Sequence, residues 1–306
     1  MSGAPTSARG PGGSIYDLGY QGYIGPRLGR RSAVLALFFQ TLRACYGIGR
    51  GGRAKIPPFA LAALAILPAV LAVGFASLAA QAGGGALENA SPIRYDSYHD
   101  LVSVLIMLFC AAQAPELFGR DQRYGVLPLY FTRVLTRVDY ALARVGGLIV
   151  ALLVVELTPY LVLFVGRVLV APDPATGLGA ELGQVPHFLL QGLLVAGLLG
   201  GLAGLIAAWT PRRAYATAAI IAVSIIPPIV VGIIGSQTSQ DLARAIVLLS
   251  PGDILEGTNA AIFGSVSGDA VVASVDLPGW AYVAAAAVGL VASIVLTVRR
   301  YLRIAT

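Results

Sequence analysis

The chain has 306 residues, of which 57% are hydrophobic and 12% are charged, and it carries a net charge of +6. Because an average soluble domain has about 25% charged residues, this deficit indicates that much of the chain does not face water. The basic residues flank long apolar runs, so they are interpreted as signals of membrane topology rather than as a nucleic-acid surface. The expected surroundings are therefore the lipid bilayer, and no nucleic-acid partner is expected.

Residues 1–31 are predicted to form a disordered tail on the cytosolic side of the membrane. The first part of this tail is rich in Gly, Pro and Ser and has no apolar core of the kind that a signal peptide contains. No signal peptide is therefore expected.

Residues 32–56 are predicted to form an amphipathic helix that lies in the membrane interface. Small or polar residues recur at spacings of three and four from Ser32 to Arg50, whereas Leu35, Phe38 and other apolar residues fill the opposite face. The basic residues predicted here as lipid-phosphate anchors are Arg43, Arg50, Arg53 and Lys55. The alternative is a soluble helix packed on the cytosolic loop.

Six apolar windows have the length that a helix needs to cross a bilayer, about 20 residues. They are residues 57–80, 101–118, 145–170, 187–209, 214–235 and 280–298, within a transmembrane domain of residues 57–306. The apolar runs are continuous rather than alternating, which favours helices over a β-barrel. The predicted fold class is an all-α polytopic membrane protein with six transmembrane helices.

Charged residues are sorted between the two sides of these spans. All of the 21 basic residues except Arg94, Arg167 and Arg244 fall on the side of the termini, while most acidic residues fall on the other. By the positive-inside rule, the basic side is cytoplasmic and both termini lie in the cytosol. The expected location is a bacterial cytoplasmic membrane.

The segment between spans two and three is unusually rich in charge. The residues predicted to contact a soluble partner are Glu116, Arg120, Asp121, Arg123 and Tyr124. Charges at such a rim set orientation and association rate more than affinity. Arg133 and Arg137 are predicted to be membrane anchors, and Arg144 is also expected to face lipid. The alternative is that all these arginines contact headgroups.

Glu156 lies in the middle of span three, where a carboxylate costs roughly 2.5–3.5 kcal/mol on insertion scales, so it is expected to face protein or a water-filled path. Two interpretations remain open: a role in the pathway or in proton uptake, and a structural acceptor of hydrogen bonds from neighbouring spans. Residues 236–279 are predicted to form a re-entrant or interfacial pair of short helices, with a helix starting from an N-cap at Asp253. A small extracellular cap is the alternative.

No motif for catalysis or nucleotide binding is present. A P-loop needs Gly-Lys before Ser or Thr, but the single lysine, Lys55, follows Ala54. The chain also lacks the zinc-protease motif H-E-x-x-H. We therefore expect no enzyme activity, metal or cofactor in this chain, and we expect any ATP and Mg²⁺ to be bound by a partner.

The same segment carries a family resemblance. Its motifs are Pro115-Glu116-Leu117, Arg120-Asp121, Gly125, Leu127-Pro128-Leu129 and Arg137-x-Asp139-Tyr140. In this order it resembles the permease subunit of an ABC-2 type transporter, as does the sequence RLGR before an interfacial helix. The resemblance implies an exporter subunit, separate ATP-binding subunits that contact residues 116–144, and a second permease copy or a paralogue.

Two other function classes are alternatives. A proton-coupled secondary transporter would use Glu156 as its proton carrier, but no internal repeat is visible. A membrane enzyme acting on lipids would need a clustered catalytic set, which the chain lacks.

Overall fold

The computed structural model describes residues 25, 28–81, 93–131, 134–235 and 237–304. The predicted anchor Arg133 and most of the predicted tail lie outside these ranges. Within them the regular structure is helical, without strands. The helices are α1 Arg30–Cys45, α2 Ile56–Gln81, α3 Tyr95–Ala114, α4 Arg120–Arg123, α5 Leu127–Phe131, α6 Arg137–Val170, α7 Pro174–Glu181, α8 Val185–Trp209, α9 Arg213–Gly235, α10 Gln240–Val247, α11 Pro251–Phe263, α12 Ala270–Ser274 and α13 Gly279–Leu302.

Six of these helices are long and apolar enough to cross a membrane: α2, α3, α6, α8, α9 and α13. This confirms the predicted all-α polytopic fold. Two spans begin more than a helical turn before their apolar windows, α3 at Tyr95 and α6 at Arg137. For α6 the reason is a capping box, in which the Thr136 hydroxyl accepts from the Asp139 amide and the Asp139 carboxylate accepts from the Thr136 amide.

Helices α3, α6 and α8 form the centre of the bundle. In the apolar windows of α3 and α8, 61% of the residues are buried, against 17% in α2 and 11% in α9. Glycines of α8 permit close packing inside the chain, since a Cβ on Gly201 would lie 2.1 Å from the Ser293 hydroxyl of α13. The outer faces of α2 and α9 are left for lipid or another chain.

Helix α1 runs beside the first half of α6 in the same direction. Arg30 contacts Asp139 near the start of both helices, and the Tyr46 hydroxyl donates to the Ala151 carbonyl at 2.8 Å near the other end. Its buried stripe is Leu37, Thr41 and Cys45. The helix ends at Cys45, well before the predicted residue 56, because Gly47 turns the chain with φ +67° toward α2. Its placement in the membrane interface stays a prediction.

The bundle has two ends of opposite charge. The basic end contains the start of α1, residues 115–131, the start of α6, the turn between α8 and α9, and the end of α13. The acidic end contains α7, α10, α11 and α12 and the starts of α3 and α13. These two names are used below.

The segment between the last two spans forms three short helices, of which α11 packs against α3, α8, α9 and α13. The predicted N-cap at Asp253 is wrong. The cap is Ser250, whose hydroxyl accepts from the Asp253 amide, and Pro251 takes the first helical position, where its missing N–H costs nothing. Gly264 ends α11 in the left-handed region, at φ +65°.

Candidate functional site

The strongest concentration of charge at the basic end follows α3 without a break. After Ala114 the chain forms one π-helical turn, Pro115–Gly119, and then continues as α4. Such turns insert an extra residue into a helix and are frequent at functional sites. Gly125 then reverses the chain with φ +64°, and α5 begins at Leu127. Pro128 sits in the first turn of α5, where proline is tolerated.

Glu116 lies at the centre of three arginines from different parts of the chain. Its carboxylate is 3.1 Å from Arg50, 3.7 Å from Arg120 and 3.6 Å from Arg213. Arg50 follows α1 and Arg213 begins α9, so the carboxylate connects α1, α4 and α9. Burial lowers the pKa of Arg50, and the attraction of Glu116 opposes this shift. Arg50, predicted as a membrane anchor, therefore binds protein through its guanidinium.

A buried charge pair, Asp121 and Arg144, lies in the same region as the Glu116 cluster. The Asp121 carboxylate pairs with Arg144 of α6 and accepts a hydrogen bond of 2.7 Å from the Tyr140 hydroxyl. Arg144 also reaches the Thr41 hydroxyl of α1, at 3.4 Å. Asp121 is 6% exposed and Arg144 is 5% exposed. The expectation that Arg144 faces lipid is wrong. Its guanidinium pairs with the buried carboxylate of Asp121, which would be costly to bury without an opposite charge.

The remaining predicted contact residues form an exposed patch that we call the α4–α5 surface. It comprises the predicted residues Arg120, Arg123 and Tyr124, together with Leu129, which was not predicted. Tyr124 and Leu129 are each 68% exposed, and the Arg123 guanidinium lies 5.3 Å from the centre of the Tyr124 ring. A groove of about 690 Å³ runs beneath them. Aromatic and arginine side chains are the residues that most often dominate protein interfaces.

The other predicted anchors differ in their surroundings. Arg137 donates to the Leu302 carbonyl at 2.9 Å and lies 5.7 Å from the Phe131 ring, so it supports the end of α13. The exposed ones are Arg43, Arg53 and Lys55. Contact of these three with lipid stays a prediction.

Glu156 is fully buried and faces His99 of α3, with 3.2 Å between its Oε1 and the imidazole Nδ1. Its second oxygen has no hydrogen-bond partner among the described residues. His99 was not predicted as a site residue, because span two was predicted to begin at residue 101. The helix in fact begins at Tyr95, which puts His99 on its second turn and inside the protein.

A further polar cavity lies at the acidic end, beside His99, with a volume of about 540 Å³. Acidic residues of α3 and α11 line it, including Asp100 and Glu256. The charge distribution along the chain predicts that these acids lie on one side of the membrane, but it gives no sign that they share a cavity. Their helical spacing was a signal for part of this, since Asp253 and Glu256 are three residues apart and so share a helix face. Within the described ranges, no three His, Cys, Asp or Glu side chains come together as a metal site.

Comparison with known proteins adds no family to these observations. No protein-family model matches the chain, and no curated protein matches it in sequence.

Proposed function

We propose that this chain is the membrane-spanning permease subunit of an ABC-2 type exporter and that separate ATPase subunits drive it. The observation that carries the proposal is the α4–α5 surface at the basic end. It presents arginine and aromatic side chains to a partner while Glu116 and Asp121 connect the same segment to the spans. The chain would form the substrate pathway, and the partner would bind ATP and Mg²⁺.

The charge pairs give a physical route from this surface into the bundle. A displacement of α4 acts on α6 through Asp121 and Arg144, and on α9 through Glu116 and Arg213. The Gly119 backbone tightens this coupling, because a Cβ there would lie 2.9 Å from the Pro211 carbonyl in the turn before α9. ATP-driven closure of the partner would therefore move two spans together.

The proposal includes orientation and assembly. The basic end would face the cytosol of a bacterial cell, with both termini on that side, as the positive-inside rule requires. A second copy or a paralogue would cover part of the outer faces of α2 and α9. The large exposed side chains that support this on α9 are Ile225, Ile226, Ile229 and Ile233.

Co-purification with an ATP-binding subunit encoded by a neighbouring gene tests the proposal. The double variant Arg120→Glu, Arg123→Glu should weaken binding at least about tenfold, because like-charge contacts across an interface cost several kcal/mol. The matched control is Arg299→Glu, Arg303→Glu, two exposed arginines at the basic end, in the last turn of α13 and directly after it. If both variants bind the ATPase as well as the unmodified chain, the α4–α5 surface is not the docking site.

A proton-coupled secondary transporter is the second candidate, and the buried pair of Glu156 and His99 is the observation that favours it. Glu156→Gln separates the two functions in proteoliposomes. A carrier would lose transport with intact assembly and would stop when an uncoupler removes the proton gradient. An ATP-driven exporter would continue in the presence of the uncoupler.

A further inference from the structure

The cavity at the acidic end has two kinds of wall. It lies between α3, α8, α9 and α11, and its volume of about 540 Å³ is within the usual range for small-ligand sites, roughly 300–1,000 Å³. The apolar wall consists of Val104, Met107, Leu199, Ile225, Pro228 and Leu255. The polar wall consists of His99, Asp100, Asp253, Glu256 and Asp269.

The polar wall is strongly acidic. No lysine or arginine is among the described residues that line the cavity. The carboxyl groups of Asp100 and Glu256 interact with each other, and two adjacent carboxyl groups favour sharing one proton, which leaves one negative charge on the pair. Glu256 also accepts from the Ser267 hydroxyl at 2.7 Å, and Asp269 accepts from the amides of Val271 and Val272. These three acids therefore have partners inside the protein.

Asp253 differs from these acids because one of its carboxylate oxygens has no partner among the described residues, and this observation points to a ligand. It is 3% exposed, and its Oδ2 has no hydrogen-bond partner among the described residues. A buried carboxylate oxygen without a partner costs free energy, which a donor with positive charge would return. Burial, together with the nearby Asp269 and Glu256, raises the pKa of Asp253 to about 6, and a hydrogen bond with the Ser250 hydroxyl opposes this shift. The group is nonetheless mostly ionised at neutral pH.

We propose that this cavity binds an organic ammonium ion that carries an apolar body. The ammonium would donate to Asp253 and lie in the field of the neighbouring carboxylates, while the body would contact the side chains of Met107, Leu199 and Ile225. A bare metal ion fits less well, because the described acids do not converge as a metal-ligand set. The inference goes beyond the proposed function, since binding by this chain alone does not require an ATPase partner.

Dansylcadaverine, a primary amine with a fluorescent apolar body, is a suitable probe, and its N-acetyl derivative is the matched neutral control. Both are titrated at pH 7.5 into the purified full chain in detergent micelles and into empty micelles. We expect saturable binding of the amine to the protein, at least about tenfold tighter than that of the acetylated compound. Equal binding of the two compounds, or binding no greater than to empty micelles, would overturn the proposal.

Variants locate the site. Asp253→Asn keeps the shape of the side chain and the Ser250 cap, which uses the backbone amide, and should weaken binding at least about tenfold. Asp269→Asn, which removes one carboxylate from the polar wall and keeps a good N-cap for α12, should also weaken it. Asp241→Asn is the control, because Asp241 is exposed at the acidic end outside this cavity. Thermal unfolding checks that each variant is folded. Unchanged affinity in both cavity variants refutes the site, whatever the outcome of the ATPase experiment.

Discussion

The buried pair of Asp121 and Arg144 supports a quantitative prediction. Arg144→Met keeps most of the length and apolar volume of the side chain but removes its charge. Asp121 then remains as a carboxylate with the Tyr140 hydroxyl as its remaining donor. Removing one partner of a buried ion pair costs roughly 3–5 kcal/mol. The Asp121 and Arg144 side chains are only 9% and 6% exposed, so water screens their interaction little. Because the Tyr140 hydroxyl still donates to Asp121, we expect a loss of stability near the lower limit, about 3 kcal/mol.

Reversible unfolding in mixed detergent and SDS micelles measures this loss. A double-mutant cycle with Asp121→Asn separates the pair from its surroundings, because the double variant buries no charge at this position. We expect the double variant to be more stable than Arg144→Met alone. The comparison variant is Arg30→Met, which breaks the pair between Arg30 and Asp139 at the start of α6. The Arg30 side chain is 58% exposed, so breaking this pair should cost little. If Arg144→Met destabilises the chain no more than Arg30→Met does, the buried pair is not the structural connection described here.

Two further predictions concern α1 and the acidic cavity. Gly147→Ala should destabilise the chain by roughly 1–3 kcal/mol, since the added Cβ would lie 2.8 Å from Thr41. Gly146→Ala is the control and should be tolerated, because the nearest atom to its Cβ would be a Phe38 ring carbon at 3.6 Å. Thermal unfolding of both variants tests this, and equal losses of stability would contradict it. Dansylcadaverine affinity should fall as the pH drops through about 6, because protonation of Asp253 removes the charge that attracts the amine, and Asp253→Asn should flatten this dependence. The other titratable groups near this carboxyl or lining its cavity are His99, Asp100, Glu256, Asp269 and Tyr282. A steep pH dependence that survives in Asp253→Asn would assign the effect to one of them.

Helix ends show the limit of the apolar pattern. The windows located all six spans, but α6 begins at Arg137 rather than at residue 145, because a capping box adds polar turns that a hydropathy pattern does not register. Span two was likewise predicted to begin too late, at residue 101, so His99 was not assigned to it. Capping residues are visible in sequence, but many Ser, Thr and Asp residues could serve as caps, and the folded backbone selects among them.

For the charged segment after α3, the sequence pattern did not predict which site residues are buried and which are exposed. The pattern identified Glu116, Arg120, Asp121, Arg123 and Tyr124 as one group, and their separation into exposed and buried residues depends on contacts with distant parts of the chain. Asp121 is buried because α6 brings Arg144 to it, and Glu116 is held by arginines from two other elements. Neither set of partners could be read from spacing along one segment.

The sequence alone determined the class of protein and the number of spans, because each bilayer crossing is a local property of about 20 consecutive residues. The uneven distribution of charge also predicted which end of the bundle is basic. Tertiary structure decided which charges meet: Glu116 with Arg50 and Arg213, and Glu156 with His99. These pairs join residues that are far apart in the chain, and their energies depend on distance and burial, which exist only once the helices have packed.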